Sequence, residues 1–455
     1  MSEIVWDLEL IQKYNQSGPR YTSYPTALEF NEHYSEQDFL RATKRYPNRP
    51  LSLYVHIPFC HKLCYFCACN KVITRHQHKA DIYLDYVEKE ILRRAPLFKQ
   101  RTVTQIHWGG GTPTYLSEAQ SARLMAMLTD NFTVADDAEI SIEMDPREIE
   151  LSMLDHLRKI GFNRLSMGIQ DFNKDVQAAI NRIQDEDFIF ALMQKARQLG
   201  FHSTNIDLIY GLPFQTVESF MQTLKRVSEL NPDRMSVFNY AHLPARFAGQ
   251  AKIKEHDLPP AKSKLTILQN TIETLTKAGY QFIGMDHFAK PDDELAIAQR
   301  NGVLHRNFQG YTTQEEADLL GLGVSAISLL GDHYAQNEKV LKEYYAAVEA
   351  HGTALAKGFV MSEEDCLRRD VIKALICNFR LDFAPFEQQY GIDFKQHFAQ
   401  DLELLAPLVA DGLLTLNDHS IEVSAKGRLL IRNICLCFDT YSRQLAKRQQ
   451  FSRII

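Results

Sequence analysis

Four of the eight cysteines in this 455-residue chain fall within one stretch, Cys60-His61-Lys62-Leu63-Cys64-Tyr65-Phe66-Cys67-Ala68-Cys69. The first three have the spacing Cys-x3-Cys-x2-Cys. Thiolates spaced in this way fit one compact loop and point at one centre, and they suit iron–sulfur and zinc sites. A closed structural zinc site takes four ligands, usually as two separated pairs. No distant Cys-x2-Cys or His-x3-His partner accompanies the triad. Three thiolates on a four-iron cluster leave one iron open to a substrate or cofactor. The spacing therefore implies chemistry rather than scaffolding; Cys69, two residues beyond the triad, is either a spare thiol or a fourth ligand.

The elements that must position this loop come next. Short β-rich runs at Leu51–His56, Thr104–Trp108, Glu139–Glu143, Arg164–Gly168, Asn205–Ile209 and Met235–Asn239 alternate with amphipathic helical runs, and Gln281–Met285 is a seventh candidate strand. Ser117-Glu118-Ala119-Gln120 has the form of a capping box. Gly161, Gly200 and Gly279 each follow a helical run as a C-cap would. Such alternation predicts parallel βα units. Six or seven are too few for an eight-fold barrel, so an open or partial barrel fits. The polar residues cluster at strand C-termini, where parallel α/β barrels place their sites. The cysteine loop follows the first strand and Gly109-Gly110-Gly111-Thr112-Pro113 the second. Glu143 and Asp145 end the third, Gln170 and Asp171 follow the fourth, Asp207 lies in the fifth, and Tyr240-Ala241-His242 follows the sixth.

A glycine triplet after a strand lets a ligand approach the backbone, or simply makes a tight turn. Glu143 could meet an ammonium or sulfonium cation, or a neighbouring arginine. Arg164, Ser166, Gly168 and Gln170 alternate with period two and share one face. Asp207 sits in an apolar run and is not expected to be buried unpaired. His56 is either a satisfied strand histidine or an acid near the cysteines. Residues 301–331 carry His305–Thr313 and a glycine-rich apolar segment, Gly321–Ile327, that suits a flat ligand or a packed turn. Residues 1–33 read as an irregular arm, with a short helix near Trp6–Tyr14. The arm is either a surface tether or a flap offering Arg20, Tyr21 and Tyr24 to an anionic substrate. After a helix near Glu338–Ala350, residues 351–359 read as a linker and 360–455 as a smaller, mostly helical domain with a hairpin over Asp411–Gly427.

A net charge of −6 argues against a general polyanion binder. Residues 425–455 hold seven Lys or Arg and one acid, read as a solvated face or a contact for substrate carboxylates rather than for nucleic acid. No stretch approaches the ~20 apolar residues of a membrane span. The acidic start lacks a signal-peptide core, and the cysteine usage points to a reducing cytoplasm. Cys366, Cys377, Cys435 and Cys437 read as small buried hydrophobes. Nothing demands more than a monomer.

The triad, with Phe66 just before Cys67, resembles the cluster loop of the radical S-adenosylmethionine (SAM) superfamily. Within it, Tyr54–Cys69, Gly109–Pro113, Arg164–Asp171, Pro19–Thr26, His305–Thr313 and Arg428–Asp439 together resemble the family of oxygen-independent coproporphyrinogen III dehydrogenases (oxidases). The arm, with its Pro-Arg-Tyr-Thr-Ser-Tyr-Pro stretch, and Cys69 specify the branch; Ala68, where the family has glycine, departs from it. The resemblance implies a partial (β/α)6 parallel barrel over residues 34–350, with the arm over the active site and a helical C-terminal domain. It implies that Cys60, Cys64 and Cys67 hold a [4Fe–4S] cluster whose open iron binds SAM. By motif position, Tyr54, Gly110, Glu143 and Ile327 would contact this first SAM. Phe66, Gly111, Thr112, Gln170, Arg182, Asp207 and Ala241 would contact a second. The implied reaction converts two propionates of coproporphyrinogen III to vinyl groups, giving protoporphyrinogen IX for haem synthesis. It uses a 5′-deoxyadenosyl radical, a small electron-donor protein and an electron acceptor. Arg20 is a weaker candidate for a substrate carboxylate. The alternatives are a haem-binding chaperone on the same barrel and a zinc-dependent nucleic-acid module built on the triad and basic tail.

Overall fold

Strands with buried residues on both faces need cover on both sides, and Leu51–Ile57 is such a strand, with only Tyr54 short of full burial. In the computed structural model, which describes residues 4–314, 317–443 and Phe451, this strand (β1) lies inside a parallel sheet. Beside it run β2 (Thr102–Gly110), β3 (Thr133–Met144), β4 (Arg164–Gln170), β5 (Ser203–Tyr210) and β6 (Arg234–Asn239), each pairing in parallel with the strand before it. The six expected βα strands thus form in chain order, and helices intervene. Ser117 and Gln120 make the expected capping box at the start of Glu118–Asn131. Gly161, Gly200 and Gly279 all have positive φ at helix ends, the conformation a glycine allows most easily.

Beyond β1 the sheet continues on its other side. β7 (Asp318–Leu322) pairs with β1 in parallel. β8 (Ile327–Leu330), β9 (His333–Asn337) and β10 (Leu355–Val360) then add on antiparallel. One sequence reading is corrected here: the stretch taken as a linker supplies β10, because its alternating Leu355, Lys357 and Phe359 find a partner only when β9 is beside them. The glycine-rich segment Gly321–Ile327 makes the packed turn that was one of its two readings, joining β7 to β8, and Gly331 (φ +60°) lies in the two-residue turn between β8 and β9. The candidate seventh strand is not a parallel unit either. Gln281–Gly284 folds back on His287–Ala289 as an antiparallel hairpin.

The chain divides into two compact units. The sheet unit holds residues 30–267 and 316–360. The composite unit gathers three separated pieces, 1–29, 268–315 and 361–455. In the composite unit the arm is fastened, not loose. Arg432 Nε donates to the Pro19 carbonyl (2.8 Å) and Asn433 Nδ2 to that of Tyr14 (2.9 Å). The Tyr21 hydroxyl donates to Asp439 (3.1 Å), and Tyr24 Oη lies 3.0 Å from Thr440 Oγ1. Both phenols are buried, so neither is offered to a substrate as the flap reading expected. Helices Glu363–Asn378, Ala399–Ala410 and Ile431–Phe438 form the C-terminal part, with a small antiparallel sheet of Arg380–Asp382, Ser420–Val423 and Leu414–Leu416 in place of a lone hairpin. Cys377, Cys435 and Cys437 are buried; Cys366 is half-buried. Of the basic tail, Lys447, Arg448 and Arg453 lie outside the described residues. Among the described residues, no helix is long and apolar enough to cross a membrane.

The start of β7 is held by charge. Asp318 is buried and accepts from Arg101 Nη2 at 2.8 Å, while Arg101 also donates to the carbonyls of Arg49 and Pro50 at 2.6 and 3.0 Å. One side chain thereby ties the beginnings of β1, β2 and β7. Removing one partner leaves a buried uncompensated charge. We expect Asp318→Ala to cost about 3–5 kcal/mol, read as a lowered midpoint in chemical denaturation.

Candidate active site

The cysteine loop is anchored at its root. Phe59–Cys60 pairs in parallel with Val72–Ile73. Within the loop, the backbone N–H of Tyr65 donates to the Ile180 carbonyl (3.0 Å), Asn181 Nδ2 to that of Leu63 (2.8 Å), and Gln250 Nε2 to that of Phe66 (2.9 Å). Cys60, Cys64 and Cys67 line one cleft with Cys69 at its side.

The glycine triplet lies directly against this root. The N–H of Gly111 donates to the Ile57 carbonyl and that of Thr112 to the Phe59 carbonyl, both at 2.8 Å. A Cβ on Gly111 would stand 2.6 Å from the Pro58 oxygen, and one on Gly110 (φ +113°) only 2.4 Å from the His56 ring. The triplet is therefore glycine because the backbone must come this close, and the consequence is chemical. Thr112 Oγ1 donates to Cys60 Sγ at 3.2 Å. The Gly110 N–H donates to Glu143 at 3.1 Å.

Two arginines serve Cys64. Arg147 Nη2 lies 3.2 Å and Arg182 Nη1 3.3 Å from its sulfur, each placed to donate. Asp145 holds both guanidiniums, at 2.6 and 2.9 Å. Burial pushes the Asp145 carboxyl up, but Arg182 and Arg147 outweigh it and bring it to about 2. Gly168 makes room for this group: a Cβ there would meet Gln170 Nε2 at 2.6 Å and Arg182 Nη2 at 3.1 Å. Burial pushes the Cys60 thiol up to about 12. Hydrogen bonding to Cys69 and the nearby Lys71 ammonium bring Cys67 down to about 6.

Two further carboxylates in the cleft are tuned in opposite directions. Burial disfavours ionised Glu143, but hydrogen bonds from His107 and the Gly110 N–H hold its carboxyl below the usual range. Asp207 accepts from Asn205 Nδ2 (2.8 Å), itself 3.0 Å from Ser166 Oγ. Burial and the Glu143 charge push Asp207 up to about 6.

Of the sequence-predicted residues, the cleft collects Phe66, Gly110, Gly111, Thr112, Glu143, Gln170, Arg182 and Asp207 with the three cysteines. Tyr54, Ala241 and Ile327 are not among its lining residues. The Tyr54 ring stacks on His107 at 5.9 Å and its hydroxyl reaches His56 Nδ1 at 3.1 Å. Ala241 is exposed after β6, and Ile327 opens β8. Arg20, in the composite unit, is ion-paired with Asp286. Asp171 is fully buried, accepting from Thr223 Oγ1 and Gln215 Nε2 at 2.6 Å each, and is structural. Arg164 pairs with Glu139 away from the cleft. Arg147 and Lys71 line the cleft and were missed; the Asp145-Pro146-Arg147 step just past a strand end was the available signal for Arg147.

The residues fit a cluster. Three cysteines share one cleft, and three side chains donate to their sulfurs. Among the described residues no His, Cys, Asp or Glu group converges tightly enough for a single metal ion; a cluster asks less, since each cysteine meets a different iron.

Comparison with known proteins agrees with this geometry. The model of the radical SAM superfamily matches residues 54–227, and that of the HemN C-terminal domain matches residues 361–430. The chain is 69% identical to the oxygen-independent coproporphyrinogen III oxidase of Escherichia coli (strain K12), covering 100% of both chains. It is 52% identical to that of Synechocystis, with 99% of this chain and 98% of the relative covered. A solved structure of coproporphyrinogen III oxidase (HemN) from Escherichia coli, described as a radical SAM enzyme, superposes with a TM-score of 0.94 at 68% identity. The match covers 97% of this chain and 100% of that one.

Asp207 offers a pH test. Folding raises its pKa from the ordinary 3.8 to about 6, so the folded state holds this proton more tightly. Its contribution to stability is complete below the unfolded value and is lost as pH rises through about 6. We expect Asp207→Asn, which keeps the acceptor for Asn205, to stabilise the apoprotein at pH ~7.5 by on the order of 3 kcal/mol. The gain should vanish near pH ~4, as followed by thermal melts at both pH values.

Proposed function

The chain belongs to the oxygen-independent coproporphyrinogen III oxidases of the radical SAM superfamily, and from that membership we propose that it converts two propionate side chains of coproporphyrinogen III to vinyl groups, giving protoporphyrinogen IX in haem biosynthesis. The observation that carries this reading is the donor-rich cysteine triad in a cleft lined by the ends of parallel strands. Each conversion takes one hydrogen atom from the propionate β-carbon and releases carbon dioxide and one electron, so the double bond forms without oxygen. Cys60, Cys64 and Cys67 would hold the [4Fe–4S] cluster. Bound together, the cluster and SAM supply a 5′-deoxyadenosyl radical that takes the hydrogen.

The remaining tasks fall to the chain. Glu143, kept ionised, is suited to receive the ammonium of a SAM methionine end. The close-packed Gly110–Thr112 backbone leaves space for that end. Gln170, Arg182 and Asp207 with Phe66 and Thr112 would receive a second SAM; an Asp207 that titrates near 6 can offer a proton to a ribose oxygen as well as accept one. Arg147 and Arg182 neutralise charge at Cys64, favouring electron gain by the cluster. Tyr54 and Ile327 toward the first SAM, and Ala241 toward the second, are assigned by motif position alone. A small donor protein supplies electrons and a separate acceptor takes those released. The chain works as a monomer in the reducing cytoplasm.

The test is anaerobic incubation of the reconstituted, reduced protein with coproporphyrinogen III. Vinyl product and 5′-deoxyadenosine are expected; neither forming would sink the reading. Cys64→Ser should lose cluster absorbance and turnover while circular dichroism stays near that of the parent. Arg147→Ala should keep its iron but lose a cationic sulfur donor, so the midpoint potential should fall in a titration followed by electron paramagnetic resonance. An unchanged potential would remove Arg147 from this role.

A further inference from the structure

We propose that the composite unit carries an anion-receiving site built on Arg306 and Arg428, whose ligands are propionate carboxylates of the tetrapyrrole. This rests on the substrate reading given above.

Arg306 belongs to the strand His305–Asn307, which pairs antiparallel with Gly310–Thr312, so that Arg306 stands directly opposite Tyr311. Its guanidinium lies over that ring, 4.6 Å from the centroid. Arg428 lies over Phe379 in the same way, at 4.7 Å. The two rings meet at Gly284: a Cβ there would stand 2.6 Å from Tyr311 Oη and 3.3 Å from Phe379 Cζ. Two cation–aromatic pairs thus form one wall.

The wall carries unmatched donors. Arg306 Nε and Nη1, Arg428 Nε and Gln309 Nε2 are all buried, and none has a hydrogen-bond partner among the described residues. Each is a nitrogen that can only donate. Burial pushes the Arg428 guanidinium downward with no carboxylate opposing it. Other arginines of the unit are satisfied: Arg20 by Asp286, Arg368 by Asp401, and Arg432 by the carbonyls of Gly18 and Pro19. Leaving buried charged donors unpaired is costly. What is missing is an anion with several lone pairs beside a flat apolar body. A carboxylate pairs bidentately with a guanidinium, and aromatic walls suit the pyrrole rings that carry it.

The holoenzyme provides the test. Steady-state kinetics would compare the parent, Arg306→Gln, Arg428→Gln and the double variant on coproporphyrinogen III. Iron content and substrate-free SAM cleavage would report cofactor loading. We expect KM to rise about tenfold in each single variant and about a hundredfold in the double, equivalent to about 1.4 kcal/mol per site. Cofactor loading should be unchanged and Arg428→Lys partly restored. The tetramethyl ester of the substrate, which has no carboxylate, should bind the parent far more weakly than the acid. The double variant should barely distinguish the two. An unchanged KM in a fully loaded double variant, or a parent indifferent to esterification, overturns the inference while leaving the enzyme reading intact. A parent that makes no vinyl product overturns the reading itself.

Discussion

The chemistry of the sheet unit depends on two backbones approaching more closely than side chains allow. Where Gly109–Thr112 passes Ile57–Phe59, two N–H groups donate across the gap at 2.8 Å, and a methyl group at Gly111 would collide with a carbonyl oxygen. This contact sets the register between the root of the cysteine loop and the end of β2. Thr112 then falls beside Cys60, Gly110 beside Glu143, and His56 beneath the turn, its ring nitrogen 2.9 Å from the Asn70 carbonyl oxygen. The histidine that sequence left undecided is thereby occupied in holding the turn.

Charge is apportioned around the cleft as tightly as volume. Asp145 is kept ionised by two guanidiniums that also reach Cys64. Glu143 is kept ionised by His107 and a backbone N–H. Asp207, partly buried beside the Glu143 charge, is pushed upward to about 6. Neighbouring carboxylates with separated pKa values give up their protons in turn as pH rises, Glu143 before Asp207.

The six parallel strands and the cysteine loop were legible because their signals are local: period-two alternation, helix caps, and four cysteines in one short stretch. What escaped was set by partners distant in sequence. Leu355–Val360 reads as a strand only beside His333–Asn337. Gln281–Gly284 looks like one more βα strand until its hairpin partner is seen. Arg147 carries no motif of its own and is identified by Cys64, far away in sequence. Arg20, which its type suggested for a carboxylate contact, is ion-paired with Asp286, whereas Arg306 and Arg428 lay in stretches that carried the resemblance without being singled out themselves.

The position of β1 also has a consequence for how the chain must be assembled. One flank of β1 is covered by β2, made soon after it, and the other by β7, which follows only after five further parallel strands. During synthesis the strand that leads into the metal loop therefore spends most of the chain's production with one hydrogen-bonding edge open, the condition under which unpaired strands recruit wrong partners. That edge closes only when β7 arrives, and Asp318 then meets the buried Arg101.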